Sequence, residues 1–282
     1  MRIAVLGSGG IGGYYGTRLA NAGHDVVFVA RGAHLEAMQH RGLTVRTPEG
    51  ETTIAVMATA DTSRVGPVDL VLFCVKSFDT EPAARALKPL MASDTTVLTL
   101  QNGIDNASGI AEIVGTASVL PGAVYVALQL PHPDVVVRTG GEGRIVFGEP
   151  AGALLLFIAG IGGVTTLARS GIGPLLAGAE GRALLTASCE EIVAVARAER
   201  VALPADTVNR AIEQAAALPP QWRSSMARDL DDRRRLEVDA LSGAVVRRGL
   251  RFGVPAPIHR TIVACLSVHQ PFPPTTTGPP PS

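Results

Sequence analysis

A glycine-rich run near the start of the chain is the first pattern that indicates a chemistry. Its glycines have the spacing G-x-G-x-x-G, in the run Gly7-Ser8-Gly9-Gly10-Ile11-Gly12. The sequence predicts an apolar strand over residues 2–6 and a helix over 11–22, so the run joins a strand to a helix. The backbone amides at such a helix start attract phosphate groups. The run therefore predicts a dinucleotide-binding site, and a tight turn without a ligand is the alternative.

The residue that follows the second predicted strand bears on which dinucleotide is bound. The strand covers residues 26–29, and Arg31 comes shortly after it. NAD-selective sites carry an aspartate or glutamate there for the ribose hydroxyls. A guanidinium instead pairs with a 2′-phosphate and stacks on adenine. Arg31 therefore predicts NADP rather than NAD, and a solvated surface arginine is the alternative.

Two more polar residues follow predicted strands. Lys76 follows a strand over residues 70–75, and Asn102 follows one over 96–100. Cofactor and substrate bind beyond the carboxyl ends of parallel strands, so we expect both side chains at the nicotinamide end of the site. The alternatives are that Lys76 is a surface charge and that Gln101-Asn102-Gly103 is only a turn.

The secondary-structure pattern that must position these residues differs between the two halves of the chain. Strands and helices alternate over about the first 120 residues, which predicts a Rossmann-type, doubly wound parallel sheet. A hairpin is predicted to join strands over 135–138 and 144–148 through Thr139-Gly140-Gly141. The second half has helical patterns only, over 183–198, 205–218, 234–248 and 258–266. We expect an NADP-binding α/β domain over 1–149, a smaller all-helical domain over 150–270 and a disordered Pro-rich tail over 271–282.

Composition excludes several classes of protein. The chain has 282 residues, a formal net charge of zero, 46% hydrophobic and 18% charged residues, which is typical of a globular protein and not of one that binds nucleic acid. Residues 150–168 are charge-free and long enough for a membrane span, but their glycines and threonines favour a buried helix followed by a turn. The only lysines are Lys76 and Lys88.

The cysteines and histidines give no metal site. Cys74, Cys189 and Cys265 lie far apart in the sequence, and the six histidines have no metal-ligand spacing. We interpret the cysteines as buried thiols in a reducing compartment. The chain starts directly with the predicted strand, so no signal peptide is expected and the expected localisation is cytoplasmic.

Several short motifs of the chain occur together in one known family. They are Gly7–Gly12, Arg31, Cys74-Val75-Lys76, Gln101-Asn102-Gly103, Ser224-Ser225-Met226, Asp229, Glu237, Asp239, Gly243 and Gly253-Val254-Pro255-Ala256-Pro257. With these residues the chain resembles the ketopantoate reductase (2-dehydropantoate 2-reductase) family over roughly residues 1–149 and 157–268. The resemblance implies a two-domain, NADP-dependent enzyme of cytoplasmic pantothenate biosynthesis, which reduces a 2-keto acid to a 2-hydroxy acid by hydride delivery from NADPH.

The resemblance also implies roles for individual residues. Asn102 contacts both cofactor and substrate, Ser225 binds the substrate, and Glu237 binds the cofactor ribose near the reacting centre. Without the resemblance, a surface carboxylate beside Arg233-Arg234-Arg235 on a helix is the preferred interpretation of Glu237. Family members often associate through the helical domain, which allows a homodimer.

The chain departs from the family pattern at the junction of the two domains. Family-like sequence resumes near Phe157, only about eight residues after Glu149, whereas family members carry several tens there. The family's catalytic lysine position falls near Leu154, and the substrate-binding asparagine positions fall near Ile158 and Gly162. The last Rossmann strand is therefore predicted to be missing, which leaves an edge and an apolar face for the charge-free segment or a partner chain to cover.

Two hypotheses follow from the missing lysine. Hydride addition to a ketone places negative charge on its oxygen, which needs a cation and a proton donor. In the first hypothesis Lys76 is the surviving cation near the substrate oxygen, as the only lysine at a strand end. In the second the chain is an impaired paralogue that binds NADP as a sensor or partner subunit. A membrane-associated protein that uses residues 150–168 is the weakest alternative.

Overall fold

A computed structural model describes residues 1–148 and 155–270 of the chain. The chain divides into two compact units, Met1–Ala151 and Gly152–Ser282. The predicted tail over 271–282 lies outside the described residues. Most of the junction between the two predicted domains also lies outside the described residues. The absence of the last Rossmann strand therefore stays a prediction.

The first unit is built on one sheet. Within residues 1–148 its strands are β1 (Arg2–Leu6), β2 (Asp25–Val29), β3 (Leu43–Thr47), β4 (Gly50–Ile54), β5 (Met57–Thr59), β6 (Leu70–Phe73), β7 (Thr96–Thr99), β8 (Val119–His132) and β9 (Val135–Phe147). Their order is β4-β3-β9-β8-β7-β6-β1-β2-β5. The run from β8 to β5 is parallel throughout, while β9 and β4 each pair antiparallel with the neighbour that precedes them in the chain.

Helices cover both faces of this sheet. The helices are α1 (Gly10–Asn21), α2 (Gly32–Arg41), α3 (Thr80–Arg85) and α4 (Asn106–Val114), with short 3-10 turns at Thr62–Arg64, Ser77–Asp79, Lys88–Leu90 and Thr116–Ser118. Ile3 and Val5 of β1 pack in one core with Tyr14 of α1, while Ala4 of the same strand packs in another with Ile110 of α4. Successive strand residues face opposite sides, so β1 is buried between two helical layers, whereas β4 and much of β8 and β9 are exposed or half-buried.

The predicted hairpin through residues 139–141 is wrong. The structure has one long hairpin in which His132 pairs with Val135, so the chain reverses at residues 133 and 134. Gly140 and Gly141 lie inside β9, where the register with β8 shifts. Gly141 has φ +76°, and a Cβ there would lie 2.7 Å from the Tyr125 carbonyl oxygen. These glycines accommodate an irregularity within a strand.

The second unit is helical in its described residues, 155–270. Its helices are α5 (Gly162–Ala168), α6 (Ile172–Ala177), α7 (Ala179–Ala198), α8 (Thr207–Ala216), α9 (Ser225–Asp231), α10 (Ala244–Phe252) and α11 (Pro257–Ser267), with π-helical turns at Leu156–Ile161 and Asp239–Gly243. The predicted fold class, a Rossmann-type sheet followed by a smaller helical part, is confirmed.

Several local predictions in this unit need correction. The helix predicted over 234–248 starts only at Ala244, because the chain turns at Arg233 with φ +55° and a π-helical turn follows. The helices α6 and α9 were not predicted from the sequence. In the described residues no helix has the length and apolar character needed to cross a membrane. The described side chains also include no cluster that could hold a metal ion.

The cysteines are free thiols, and one prediction about them is wrong. Cys189 is buried and Cys74 is half-buried, but Cys265 is exposed. Cys265 lies on α11, whose exposed positions flank the buried residues Ile262 and Leu266.

A buried histidine makes the second unit sensitive to acid. His259 is fully buried, with its Nε2 3.0 Å from the Ser188 carbonyl oxygen and its Nδ1 3.1 Å from the Ser242 Oγ. A carbonyl only accepts, so Nε2 carries the hydrogen and Nδ1 accepts from the hydroxyl. Burial lowers the pKa of His259 from 6.5 to about 4. The folded chain thus keeps this imidazole neutral where an unfolded chain protonates it.

We expect the free energy of unfolding to fall as the pH falls from 6.5 towards 4. In that window the unfolded state takes up a proton that the folded state excludes, so the loss reaches about 3 kcal/mol at the acid end. Urea unfolding followed by the fluorescence of Trp222, the single tryptophan, measures it. The variant His259→Gln is expected to show a shallower slope, and a variant at exposed His269 serves as the control. An equal slope in His259→Gln would contradict the prediction.

Candidate functional site

Four neighbouring strands bring the predicted site residues of the first unit to one edge of the sheet, the edge formed by the carboxyl ends of its parallel strands. The strands β7, β6, β1 and β2 are adjacent and parallel, and they end just before Asn102, Lys76, Gly7 and Arg31 respectively. The chain continues from β1 to β2, which pairs with β1 on one side, and β6 pairs with β1 on its other side. This is a topological switch point, the place where open α/β sheets bind their ligands.

The motif glycines are each required for a different physical reason. Gly7 has φ +94°, and a Cβ there would lie 2.6 Å from the Val75 backbone nitrogen. A Cβ on Gly12 would lie 2.2 Å from the Gly7 carbonyl oxygen and 2.8 Å from Val5 Cγ1. A Cβ on Gly9 would meet no heavy atom of the described residues within 4 Å. Gly7 and Gly12 are therefore fixed by the fold, whereas Gly9 keeps open the space that a ligand needs.

The start of α1 offers backbone amides to this open space. Gly9 is the N-cap and has no side chain to cap the helix, and the first turn has no acidic residue. The Ser8 hydroxyl is turned inward, where it donates to the Val29 carbonyl oxygen at 3.0 Å. The amides and the helix dipole are thus left to bind an anion, and the turn fits a dinucleotide diphosphate.

His34 fastens the glycine turn to the reversal between β8 and β9. The Asp134 backbone N–H donates to His34 Nδ1 at 3.1 Å, so Nε2 carries the hydrogen and donates to the Ser8 carbonyl oxygen at 2.6 Å. Asp134 in turn accepts two hydrogen bonds from Arg41, at 2.9 and 2.7 Å. The Arg41 guanidinium holds the pKa of the Asp134 carboxyl below its usual range. This network was not predictable from the sequence because its members are far apart in the chain.

Gln101 ties the loops of Lys76 and Asn102 together. Its side-chain amide is buried and donates to the Val75 carbonyl oxygen at 3.0 Å and to Thr80 Oγ1 at 2.8 Å. Lys76 and Asn102 are themselves half-buried. The run Gln101-Asn102-Gly103 is therefore more than a turn, since its first residue sets the position of the neighbouring strand end.

Arg31 has a partner that was not predicted from the sequence. Its guanidinium forms an ion pair with Asp79, although the Arg31 side chain is 82% exposed. Asp79 ends the 3-10 turn that begins one residue after Lys76. The only sequence signal for it was this closeness to Lys76.

In the second unit Glu237 is not a surface carboxylate. It is only 6% exposed and lies between α9 and the π-helical turn Asp239–Gly243, outside any helix. Ser225 is exposed as the first residue of α9. Its neighbour Ser224 is buried and caps the helix by accepting from the Ala227 N–H at 3.1 Å. Burial of Glu237 disfavours the alternative of a solvated acid beside the arginines.

The positions assigned to the family's missing side chains have no acid–base group. Leu154 lies outside the described residues. Ile158 is half-buried within the π-helical turn, and Gly162 is buried, where a Cβ would lie 3.2 Å from Ser224 Cβ. A larger residue at position 162 thus has no room without movement of Ser224.

Comparison with protein families gives a match along both units. The family model "Ketopantoate reductase PanE/ApbA" matches residues 3–152, and its C-terminal counterpart matches residues 154–270. The chain belongs to the ketopantoate reductase family. It is thereby a 2-dehydropantoate 2-reductase-like oxidoreductase, with a site of the NAD(P)-dependent dehydrogenase type.

Individual relatives of this ketopantoate reductase family member match 95–96% of its length. A 2-dehydropantoate 2-reductase of Halobacterium salinarum is 33% identical over 303 residues, which cover 96% of this chain and 99% of the relative. The crystal structure of a PanE/ApbA family ketopantoate reductase from Ralstonia eutropha JMP134 has a TM-score of 0.88 at 36% identity, covering 95% of this chain and 98% of that one. A 2-dehydropantoate 2-reductase from Geobacter metallireducens GS-15 has a TM-score of 0.90 at 26% identity, covering 95% and 99%.

We expect alanine at two motif glycines to have opposite consequences in this family member. Gly12→Ala forces a methyl group against the Gly7 carbonyl oxygen and should destabilise the first unit by about 3 kcal/mol. Gly9→Ala meets open space, so it should change stability by less than about 0.5 kcal/mol and weaken NAD(P)H binding instead. Thermal unfolding and calorimetric titration separate the two effects. A stable Gly12→Ala variant would contradict the close packing.

Proposed function

We propose that this chain reduces a 2-keto acid of the 2-dehydropantoate type to the 2-hydroxy acid with NADPH. The observation that carries the proposal is the meeting of the glycine turn, Arg31, Lys76 and Asn102 at the ends of four adjacent strands, in a chain of this family. In this proposal the chain acts in cytoplasmic pantothenate biosynthesis and associates as a homodimer through its second unit.

Arg31 supports the choice of NADP. It occupies the end of β2, where a carboxylate would select the ribose hydroxyls of NAD. Its planar guanidinium has the donors for a 2′-phosphate, and its high exposure leaves room for a ligand to approach. The open space at Gly9 and the uncapped start of α1 would hold the diphosphate.

Lys76 is the group that we assign to the ketone oxygen. When bound, the nicotinamide supplies the hydride to the carbonyl carbon. The oxygen then gains negative charge, which a nearby ammonium stabilises and protonates. Lys76 is half-buried at the end of β6, whereas Lys88, the other lysine, is exposed in the 3-10 turn Lys88–Leu90. Of the two amines, only that of Lys76 is at the ligand-binding edge.

The remaining assignments follow the family resemblance. Asn102 would orient the substrate and the nicotinamide through its amide, and the preceding residue, Gln101, is anchored by its hydrogen bond to the Val75 carbonyl oxygen. Ser225 would bind the substrate carboxylate from the exposed start of α9. Glu237 would accept from the cofactor ribose, and its burial gives this carboxylate a defined position.

One observation favours a second candidate function. The position of the family's catalytic lysine has no lysine, because none occurs after Lys88. A chain that keeps the glycine turn and Arg31 but has lost its proton donor would bind NADP without turnover. It would then act as a sensor or partner subunit.

NADPH oxidation by the purified full chain separates these two functions. We expect oxidation with 2-dehydropantoate and slower oxidation with other 2-keto acids, together with saturable NADPH binding in a parallel titration. Binding without oxidation for every keto acid would support the impaired paralogue. Absence of binding would overturn both.

We expect Lys76→Ala to lower kcat by about 100-fold, since a positioned proton donor contributes that order of rate. Stopped-flow measurement of NADPH oxidation tests this, with the binding titration as a check that the site persists. Lys76→Arg keeps the positive charge but cannot release a proton near neutral pH, so it should restore little of the rate. Lys88→Ala removes the other lysine and is the matched control. Unchanged turnover in Lys76→Ala would contradict the assignment.

A further inference from the structure

The Arg31–Asp79 ion pair joins residues that are 48 positions apart in the chain. Asp79 is the residue immediately before α3, the N-cap position. Aspartate at an N-cap usually accepts hydrogen bonds from the amides of its own helix. Here the carboxylate makes no such bond with α3 and reaches Arg31 instead. The contact therefore takes the place of a local interaction that this residue type favours.

The two partners of the ion pair, Asp79 and Arg31, differ in how exposed their side chains are. The Asp79 side chain is 26% exposed, and its backbone N–H donates to the Lys76 carbonyl oxygen at 2.9 Å within the 3-10 turn. The Arg31 side chain is 82% exposed. A ligand at the end of β2 would thus meet a partly buried carboxylate on an anchored backbone and a guanidinium that solvent surrounds.

The pair brings to the end of β2 the acid that the local sequence lacks. A guanidinium there donates to a 2′-phosphate, and a carboxylate there accepts from a ribose 2′-hydroxyl. We propose that Asp79 is a specificity-determining residue for the cofactor: its carboxylate beside Arg31 disfavours the 2′-phosphate, so that the chain discriminates only weakly between NADPH and NADH. This inference rests on the proposed function, in which the edge of the sheet binds a nicotinamide dinucleotide.

The charges of the Asp79 carboxylate and of a 2′-phosphate explain why Asp79 would disfavour NADPH. An ion pair as exposed as this one is weak, so Arg31 leaves Asp79 for a phosphate at little cost. The Asp79 carboxylate nevertheless stays close to a phosphate group that carries about two negative charges. Like charges at this range oppose each other, whereas an uncharged ribose hydroxyl meets no such repulsion.

The test compares nucleotides that differ only in the 2′-phosphate. Full-length wild type and Asp79→Asn are titrated calorimetrically with ADP and 2′,5′-ADP, and then with NADH and NADPH. We expect Asp79→Asn to bind 2′,5′-ADP about fivefold more tightly than wild type, which is the effect of one screened charge at contact range. ADP binding should stay the same or weaken. The NADPH/NADH affinity ratio should rise by about the same factor.

Matched variants make the result specific. Glu81→Gln removes one negative charge from the same helix, at a residue that pairs with Arg85, and should leave the ratio unchanged. Asp79→Ser keeps a capping side chain without the charge and should behave like Asp79→Asn. Arg31→Ala should weaken 2′,5′-ADP binding and spare ADP.

The outcomes separate the inference from the proposed function. An unchanged ratio in both Asp79 variants, with wild type binding the nucleotides, would overturn the inference and leave the proposed function standing. An equal rise in Glu81→Gln would also overturn it, because the effect would then be one of general charge. Failure of wild type to bind either NADPH or NADH would overturn both.

Discussion

Backbone lies against backbone at the end of β1, and this close approach constrains the rest of the first unit. The carbonyl of Gly7 is so near Gly12 that a methyl group would lie 2.2 Å from its oxygen, and the opposite side of Gly7 lies against the backbone of Cys74 and Val75. The ends of β1, α1 and β6 therefore meet without side chains between them. Lys76 follows the end of β6 that this contact holds against β1. Arg31 follows the end of β2, where the Gly7 N–H donates to the Val29 carbonyl oxygen at 3.2 Å. Gly7 therefore links the strand ends from which both side chains extend.

Much of the sheet and its edge could be predicted from the sequence. Parallel strands that are buried on both faces give continuous apolar runs, and their carboxyl ends are marked by Gly7, Arg31, Lys76 and Asn102. The fold class was predicted for this reason, and the family was predicted from these positions together with the motifs of the second half; both are confirmed. The individual roles assigned to these side chains stay predictions.

The failures have physical reasons of their own. Gly140 and Gly141 form an irregularity inside β9 rather than a turn, and local composition does not distinguish these two uses of glycine. The amphipathic pattern around Glu237 predicts a helix, but the turn at Arg233 and the burial of the carboxylate override it. Asp79 and His34 act through contacts with distant residues, which a single sequence does not show.

The scarcity of lysine has a consequence for covalent chemistry. Apart from the amino terminus, the only primary amines are those of Lys76 and Lys88, because the remaining basic side chains are arginine or histidine. Guanidinium groups do not react with acylating reagents under mild conditions, so such reagents meet very few targets on this chain. One of these targets lies at the edge of the sheet and the other on the exposed turn after α3. Acylation of Lys76 would therefore report on ligand binding at that edge, and acylation of Lys88 would serve as the internal reference.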